Sequence, residues 1–138
     1  MDGMDYKVLL LTLLACVIWL MYETILAARR IPQAGPDPDL RNEAIEAHQL
    51  YSLWLLFLTF LFIVFVEGKR FFFGSVTRDW LFYTHLPFAV SFFGSLIAIV
   101  ARFNGRRFVH HRRLGYLTIA LFIPTVLTGI PMIIRMAD

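Results

Sequence analysis

The sequence predicts an all-α integral membrane protein, a four-helix bundle with antiparallel neighbours and both termini on one side of the bilayer. Hydrophobic residues make up 59% of the 138 residues, whereas a soluble domain has about 45–50%. Charged residues, at 17%, are confined to short intervals between long apolar runs. Four of these runs reach the roughly 20 residues that a helix needs to cross a bilayer.

The four predicted spans make the whole chain, 1–138, a single transmembrane domain, and they cover residues 8–28, 45–66, 80–101 and 114–134. The pattern excludes a nucleic-acid module despite the formal net charge of +3. Cys16 is the only cysteine, so the chain forms no internal disulfide. The prolines in 29–44 predict an irregular loop, with Asp37 or Asp39 capping the next helix.

Basic residues are unevenly shared between the two ends of the predicted bundle. The first and third connections, 29–44 and 102–113, carry eight of the thirteen arginines and lysines. Cytoplasmic loops of membrane proteins carry the excess of such residues. We therefore expect these connections to face the cytoplasm from a bacterial inner membrane, with both termini in the periplasm or outside the cell.

Small and polar residues on one face of the fourth span predict the bundle interior, because helix association in lipid depends on close approach and interhelical hydrogen bonds. This stripe, at helical spacing, contains His111, Gly115, Thr118, Phe122, Thr125, Gly129, Met132 and Met136. The third span offers a similar set, namely Ser91, Gly94, Ser95 and Ala98. We expect these two spans to pack as antiparallel neighbours because their connection is short.

Ionisable residues inside a membrane are costly and are candidate functional groups. His48 begins the second span, His110 and His111 begin the fourth, and Glu23 lies about one turn from the end of the first, all toward the same side. These four residues are the candidate metal ligands, and His48 and His111 are the candidate cofactor-binding pair. Imidazoles with a carboxylate suit copper, iron or zinc, and two imidazoles at equal depth also suit a b-type haem.

His85 lies toward the opposite face, roughly 15–20 Å from the other histidines. It therefore has either a separate second site, such as a copper(I) or haem site with Met132 or Met136, or a structural role. The structural alternative for all four histidines is solvation by headgroups and, for His85, a hydrogen bond to a carbonyl freed by a helical proline. No phosphate loop, nucleophile elbow or HExxH pattern occurs, so nothing indicates an enzyme.

Histidines stand in the second, third and fourth spans, and a Thr-Gly pair follows the histidine of the fourth span. A set of residues with this pattern is His48, Phe73-Gly74, His85, His111-Arg112-Arg113, Thr118 and Thr128-Gly129. In these residues the chain, over about residues 46–132, resembles the YozB/CtaM-like proteins, a family of small four-helix bacterial membrane proteins of unknown function.

The chain departs from the family at Ala120, Phe122 and Pro124, where the family tends to have Pro, Trp and Tyr, and at Gln49, where it has a basic residue. The resemblance implies an accessory or assembly protein of a respiratory haem–copper oxidase, with a metal or haem role for the histidines. Two other function classes are an electron-transferring b-type cytochrome and a structural subunit of a larger membrane complex without a cofactor.

Overall fold

In the computed structural model, which describes residues 3–73, 80–101 and 108–135, the chain forms four α-helices and this part contains no strand. The helices are α1 (Gly3–Gln33), α2 (Pro38–Phe73), α3 (Trp80–Ala101) and α4 (Phe108–Arg135). Each contains a stretch long and apolar enough to cross a membrane. The all-helical, four-span prediction is confirmed at this level, and the orientation in a bilayer stays a prediction.

The connection between α1 and α2 is a short turn, so the predicted irregular loop over 29–44 is wrong. α1 continues to Gln33 and includes Pro32, and α2 already begins at Pro38. Pro32 lies in the last turn of α1, and Pro38 takes the first helical position, where its missing N–H is not needed. Pro38 therefore begins α2, and α1 ends one residue after Pro32, so neither proline lies in the middle of a helix.

The local chemistry of the turn accounts for both helix ends. Gly35 has a φ of 61°, the left-handed conformation that commonly terminates a helix. The Asp37 carboxylate accepts hydrogen bonds from the backbone N–H groups of Asp39 at 3.0 Å and Leu40 at 3.4 Å. Asp37 therefore caps α2, as one of the two predicted capping residues.

The first two helices form an antiparallel hairpin, and one interhelical hydrogen bond joins them toward each end. The Tyr6 hydroxyl donates to the carbonyl of Phe65, and the Nδ1 atom of His48 lies 3.1 Å from the carbonyl oxygen of Thr24. From the first bonded pair to the second, the residue number rises along α1 and falls along α2, so the two helices are antiparallel. We call α1 with α2 the first hairpin.

α3 and α4 form a second antiparallel hairpin, as predicted. The Thr118 hydroxyl donates to the Ser95 hydroxyl at 3.0 Å, and His85 Nδ1 lies 2.8 Å from Thr128 Oγ1. α2 also contacts α3, and α1 contacts α4, so the four helices form a closed ring. α2 and α4 lie at diagonally opposite positions in this ring, and their backbones are not in contact within the described residues.

Two apolar clusters fill the bundle. The central one joins α1, α2 and α3, and it consists of Val17, Leu20, Met21, Leu55, Phe92 and Leu96. The other contains Leu10, Leu14 and Ile133, from the first turns of α1 and the last turns of α4. The start of α1 and the end of α4 therefore pack together at one end of the bundle.

The predicted interior stripe of α4 faces the bundle from residue 111 to residue 132. Thr118 is buried, and the other stripe members in this range are half-buried, while Met136 lies outside the described residues. On α3, Ser95 is buried and Ala98 is half-buried, but Ser91 and Gly94 are exposed. Assigning Ser91 and Gly94 to the packing set is wrong, because these two residues lie on the outer face of the helix.

Candidate functional site

His48 and His111 meet inside the bundle. Their ring centroids are 6.1 Å apart and the ring planes are nearly perpendicular, at 88°. Both side chains are half-buried. His48 belongs to the first hairpin and His111 to the second, so this pair, which we call the histidine pair, connects the two hairpins across the diagonal. The depth argument from the sequence expected these two residues to lie together, and their binding of a ligand stays a prediction.

A backbone contact sets the orientation of the His48 ring. Nδ1 of His48 lies 3.1 Å from the carbonyl oxygen of Thr24. A carbonyl oxygen can only accept a hydrogen bond, so Nδ1 carries the proton and Nε2 keeps its lone pair. Metal-binding histidines typically donate their second ring N–H to a carbonyl or carboxylate in this way. The contact with Thr24 therefore leaves Nε2 of His48 as the ring nitrogen that faces away from this carbonyl.

The backbone around His48 is also held in place. The Ser52 hydroxyl donates to the carbonyl of His48 at 2.7 Å, and Ser52 is only 2% exposed. One turn before His48, Ala44 is buried as well. The Thr24 hydroxyl donates to the Leu20 carbonyl at 2.7 Å, a bond within α1. Helix packing thus fixes the position of the ring on both sides.

The four predicted metal ligands, which are His48, His110, His111 and Glu23, do not come together around one point in the described structure. In the part of the chain that the structure describes, no three His, Cys, Asp or Glu side chains come close enough to hold a metal ion. His110 is exposed, since its side chain points about 100° away from that of His111 along the helix. Glu23 precedes Thr24 and is half-buried at the same end of the bundle, but it completes no three-residue group.

His85 lies away from the histidine pair, at the end of the bundle where α3 begins. The Thr128 hydroxyl contacts His85 Nδ1 at 2.8 Å and donates to the carbonyl of Pro124 at 2.7 Å. His85 therefore joins α3 to α4 through the Thr128 hydroxyl and through a backbone hydrogen bond at Thr125. Thr125 is not one of the carbonyls that a proline frees, since those lie four residues before each proline.

Gly129 allows His85 this close approach. A Cβ atom built on Gly129 would lie 3.2 Å from Cε1 of His85, closer than an ordinary carbon contact. The glycine thus leaves space for the imidazole ring between α3 and α4. The sequence placed Gly129 on the interior face, but which side chain it faces was not predictable.

The acceptor that orients His48 had no signal in the sequence. Every residue has a backbone carbonyl, and the Thr24 carbonyl is distinguished only by the packing of α1 against α2. Arginines flank the histidine pair on α4, where Arg112 stacks over Tyr116 with its guanidinium carbon 5.7 Å from the ring centroid.

In the comparisons with known proteins, no family model, no curated protein and no solved structure matches this chain.

Proposed function

We propose that the protein is an accessory or assembly protein of a respiratory haem–copper oxidase, which binds a metal ion or a haem through His48 and His111. The single observation that carries the binding proposal is the histidine pair, with ring centroids 6.1 Å apart on helices from different hairpins. The oxidase connection rests on the family resemblance of about residues 46–132.

The donor chemistry of the pair fits such a ligand. Neutral imidazole nitrogens are common ligands of copper, zinc and iron. The carbonyl of Thr24 holds His48 with Nε2 as the free donor atom. A bound metal would supply Lewis-acid or redox chemistry, and the protein residues would hold it within an apolar bundle. The buried Ser52 hydroxyl donates to the backbone carbonyl of His48, one turn earlier in α2.

We further propose a bacterial cytoplasmic membrane as the location, with the histidine pair toward the cytoplasm and both chain ends outside. Eight of the thirteen basic residues lie in segments 29–44 and 102–113, which comprise the helix ends and connections on the side of the histidine pair. The positive-inside rule favours this orientation. The packing of Leu10 and Leu14 against Ile133 supports a common side for the two chain ends.

A b-type cytochrome is the second candidate, because two imidazoles on different helices can also form an axial pair for haem iron. Absorption spectroscopy and elemental analysis of one purified sample separate these functions. We expect stoichiometric metal or haem. A Soret band that shifts on reduction identifies the cytochrome, and a colourless protein carrying a metal supports the accessory function. A metal-free, colourless member of a fixed complex contradicts the binding proposal.

A further inference from the structure

We infer that α4 carries a binding site for an anionic phospholipid, with the headgroup phosphate at Arg112 and Arg113 and the acyl chains along the helix. The observation behind it is the order of the exposed residues of α4, which recur at helical spacing along one side of the helix. We call this side the outer face, and it consists of Arg112, Arg113, Tyr116, Leu117, Ala120, Ile123 and Leu127. The inference goes beyond the proposed function and requires no ligand at the histidine pair.

The outer face changes from charged to amphipathic to apolar in the same order as a phospholipid does. The two arginines come first, Tyr116 follows one turn later, and the remaining residues are apolar. The eleven residues from Tyr116 to Leu127 rise by about 16 Å along the helix. This is close to half of the hydrocarbon core, which is about 30 Å thick. The part of the outer face beyond the arginines therefore matches the acyl chains of one leaflet in length.

A contact within the outer face holds the guanidinium of Arg112 beside the helix. Its Nη2 atom donates to the Tyr116 hydroxyl at 3.4 Å, and its central carbon lies 5.7 Å from the Tyr116 ring centroid. A guanidinium has five N–H donors and can bind a phosphate through two of them, so this bond leaves donors for a headgroup. Arg113, three residues before Tyr116, is its other neighbour on the helix surface. Both arginines can therefore reach a phosphate placed above the tyrosine.

The charge of α4 favours an anionic lipid and distinguishes this arginine pair from another at the same end of the molecule. α4 contains no aspartate or glutamate. Arg29 and Arg30, near the end of α1, belong to residues 23–46, which hold five acidic residues against three arginines. Basic residues next to a membrane span attract anionic lipids. A zwitterionic lipid gains little from them, because its own ammonium group balances its phosphate.

The test compares phosphatidylglycerol with phosphatidylcholine of identical acyl chains, each titrated into the detergent-purified full chain and measured by native mass spectrometry. We expect the wild type to bind phosphatidylglycerol about 20-fold more tightly, since each basic residue near an anionic surface is worth about fivefold in affinity. The double variant Arg112→Gln/Arg113→Gln should lose this preference. Arg29→Gln/Arg30→Gln is the matched control, because it removes the same charge from the same end, and it should keep the wild-type preference.

All four substituted arginines are exposed, and circular dichroism checks that both double variants keep the helical spectrum of the wild type. Inorganic phosphate at the lipid concentration should not displace phosphatidylglycerol, because it has no acyl chains to contact the outer face. Displacement by phosphate, equal affinity for the two lipids, or an equal loss of preference in both double variants would overturn the inference. Equal affinity together with an acidic protein that co-purifies only when Arg112 and Arg113 are present would assign the outer face to a protein partner instead.

Discussion

Two adjacent histidines at the start of α4 have different environments. His110 is exposed, whereas His111 is half-buried and faces His48 across the bundle. Consecutive side chains on a helix point about 100° apart, so only one of the two can face the interior. The interior stripe that begins at His111 was visible in the sequence, which is why His111 and not His110 belongs to the predicted cofactor-binding pair, although both were candidate metal ligands.

Gly129→Leu should destabilise the protein through packing. The first added carbon would already lie 3.2 Å from Cε1 of His85, and the remaining leucine atoms would separate α3 from α4. Overpacking of this kind typically costs about 1–3 kcal/mol. Thermal unfolding in detergent, followed by circular dichroism, should show a melting temperature several degrees below that of the wild type.

Gly115→Ala is the matched control on the same helix, because a Cβ atom at Gly115 would meet no other atom within 4 Å. It should leave the melting temperature unchanged or raise it slightly, since alanine favours helix more than glycine does. Equal melting temperatures for Gly129→Leu and the wild type would contradict the close contact between Gly129 and His85.

At the scale of the helices, apolar run length predicted the four spans because a bilayer imposes it. The ends of α1 and α2 were missed, since the effect of a proline depends on whether it lies in an end turn or in the interior. Pro32 and Pro38 both lie in end turns, so the helices extend to a short turn closed by Gly35 and Asp37.

Which face of a helix is buried was predictable for α4 and only partly for α3. The polar and small residues of the α4 stripe lie along one face of that helix. Those of α3 are distributed around the helix, and Ser91 and Gly94 are exposed. The equal depth of His48 and His111 followed from their positions near span ends. The hydrogen bonds that orient His48 and His85 depend on helix rotation and packing, which no local pattern encodes.

The buried hydroxyl pair Ser95–Thr118 should contribute a small but measurable coupling between α3 and α4. Thr118 also donates toward the Leu114 carbonyl at 2.9 Å, so its proton is shared between two acceptors. Interhelical hydrogen bonds in membranes average about 0.6 kcal/mol. A double-mutant cycle of Ser95→Ala and Thr118→Val, measured by unfolding in mixed micelles, should give a coupling near this value.

The same cycle with Thr125→Val in place of Thr118→Val is the control, because the Thr125 hydroxyl donates to the Leu121 carbonyl within its own helix. We expect Ser95→Ala and Thr125→Val to be additive. Additive behaviour of Ser95→Ala and Thr118→Val as well would show that the hydroxyl pair does not connect the helices.

The whole molecule consists of two hairpins, and each of the four interhelical hydrogen bonds described above lies within one hairpin. Apolar packing, as between Leu55 and Phe92, and the histidine pair connect the first hairpin to the second. A ligand held by both His48 and His111 would therefore cross-link the hairpins. Ligand binding should affect the stability of the complete bundle rather than that of one helix.

Metal loading should raise the thermal stability of the wild type. A ligand that binds only the folded state stabilises it by about 2.7 kcal/mol at a free concentration 100 times its dissociation constant. The melting temperature of the wild type and of His85→Ala should rise with added copper(I), and that of His48→Ala should not. A similar rise in His48→Ala would place the bound metal elsewhere.

The orientation of the molecule can be tested by cysteine accessibility. After replacement of Cys16, single cysteines at positions 3 and 105 are labelled in intact cells with a membrane-impermeant maleimide. Because basic residues are concentrated in segments 29–44 and 102–113, we expect position 3 to react from outside and position 105 to react only after lysis. Labelling of position 105 in intact cells would reverse the proposed orientation.

Joint binding of one metal ion or haem by His48 and His111 is tested by the bound metal or haem content of the four histidine-to-alanine variants. Each variant is purified in the same detergent and checked for an unchanged helical spectrum. We expect His48→Ala and His111→Ala each to lose the ligand almost completely, and His110→Ala and His85→Ala to retain it, because His110 is exposed and His85 bonds to Thr128. Loss of the ligand in His85→Ala with retention in His48→Ala would place the bound species at His85 and not at the histidine pair.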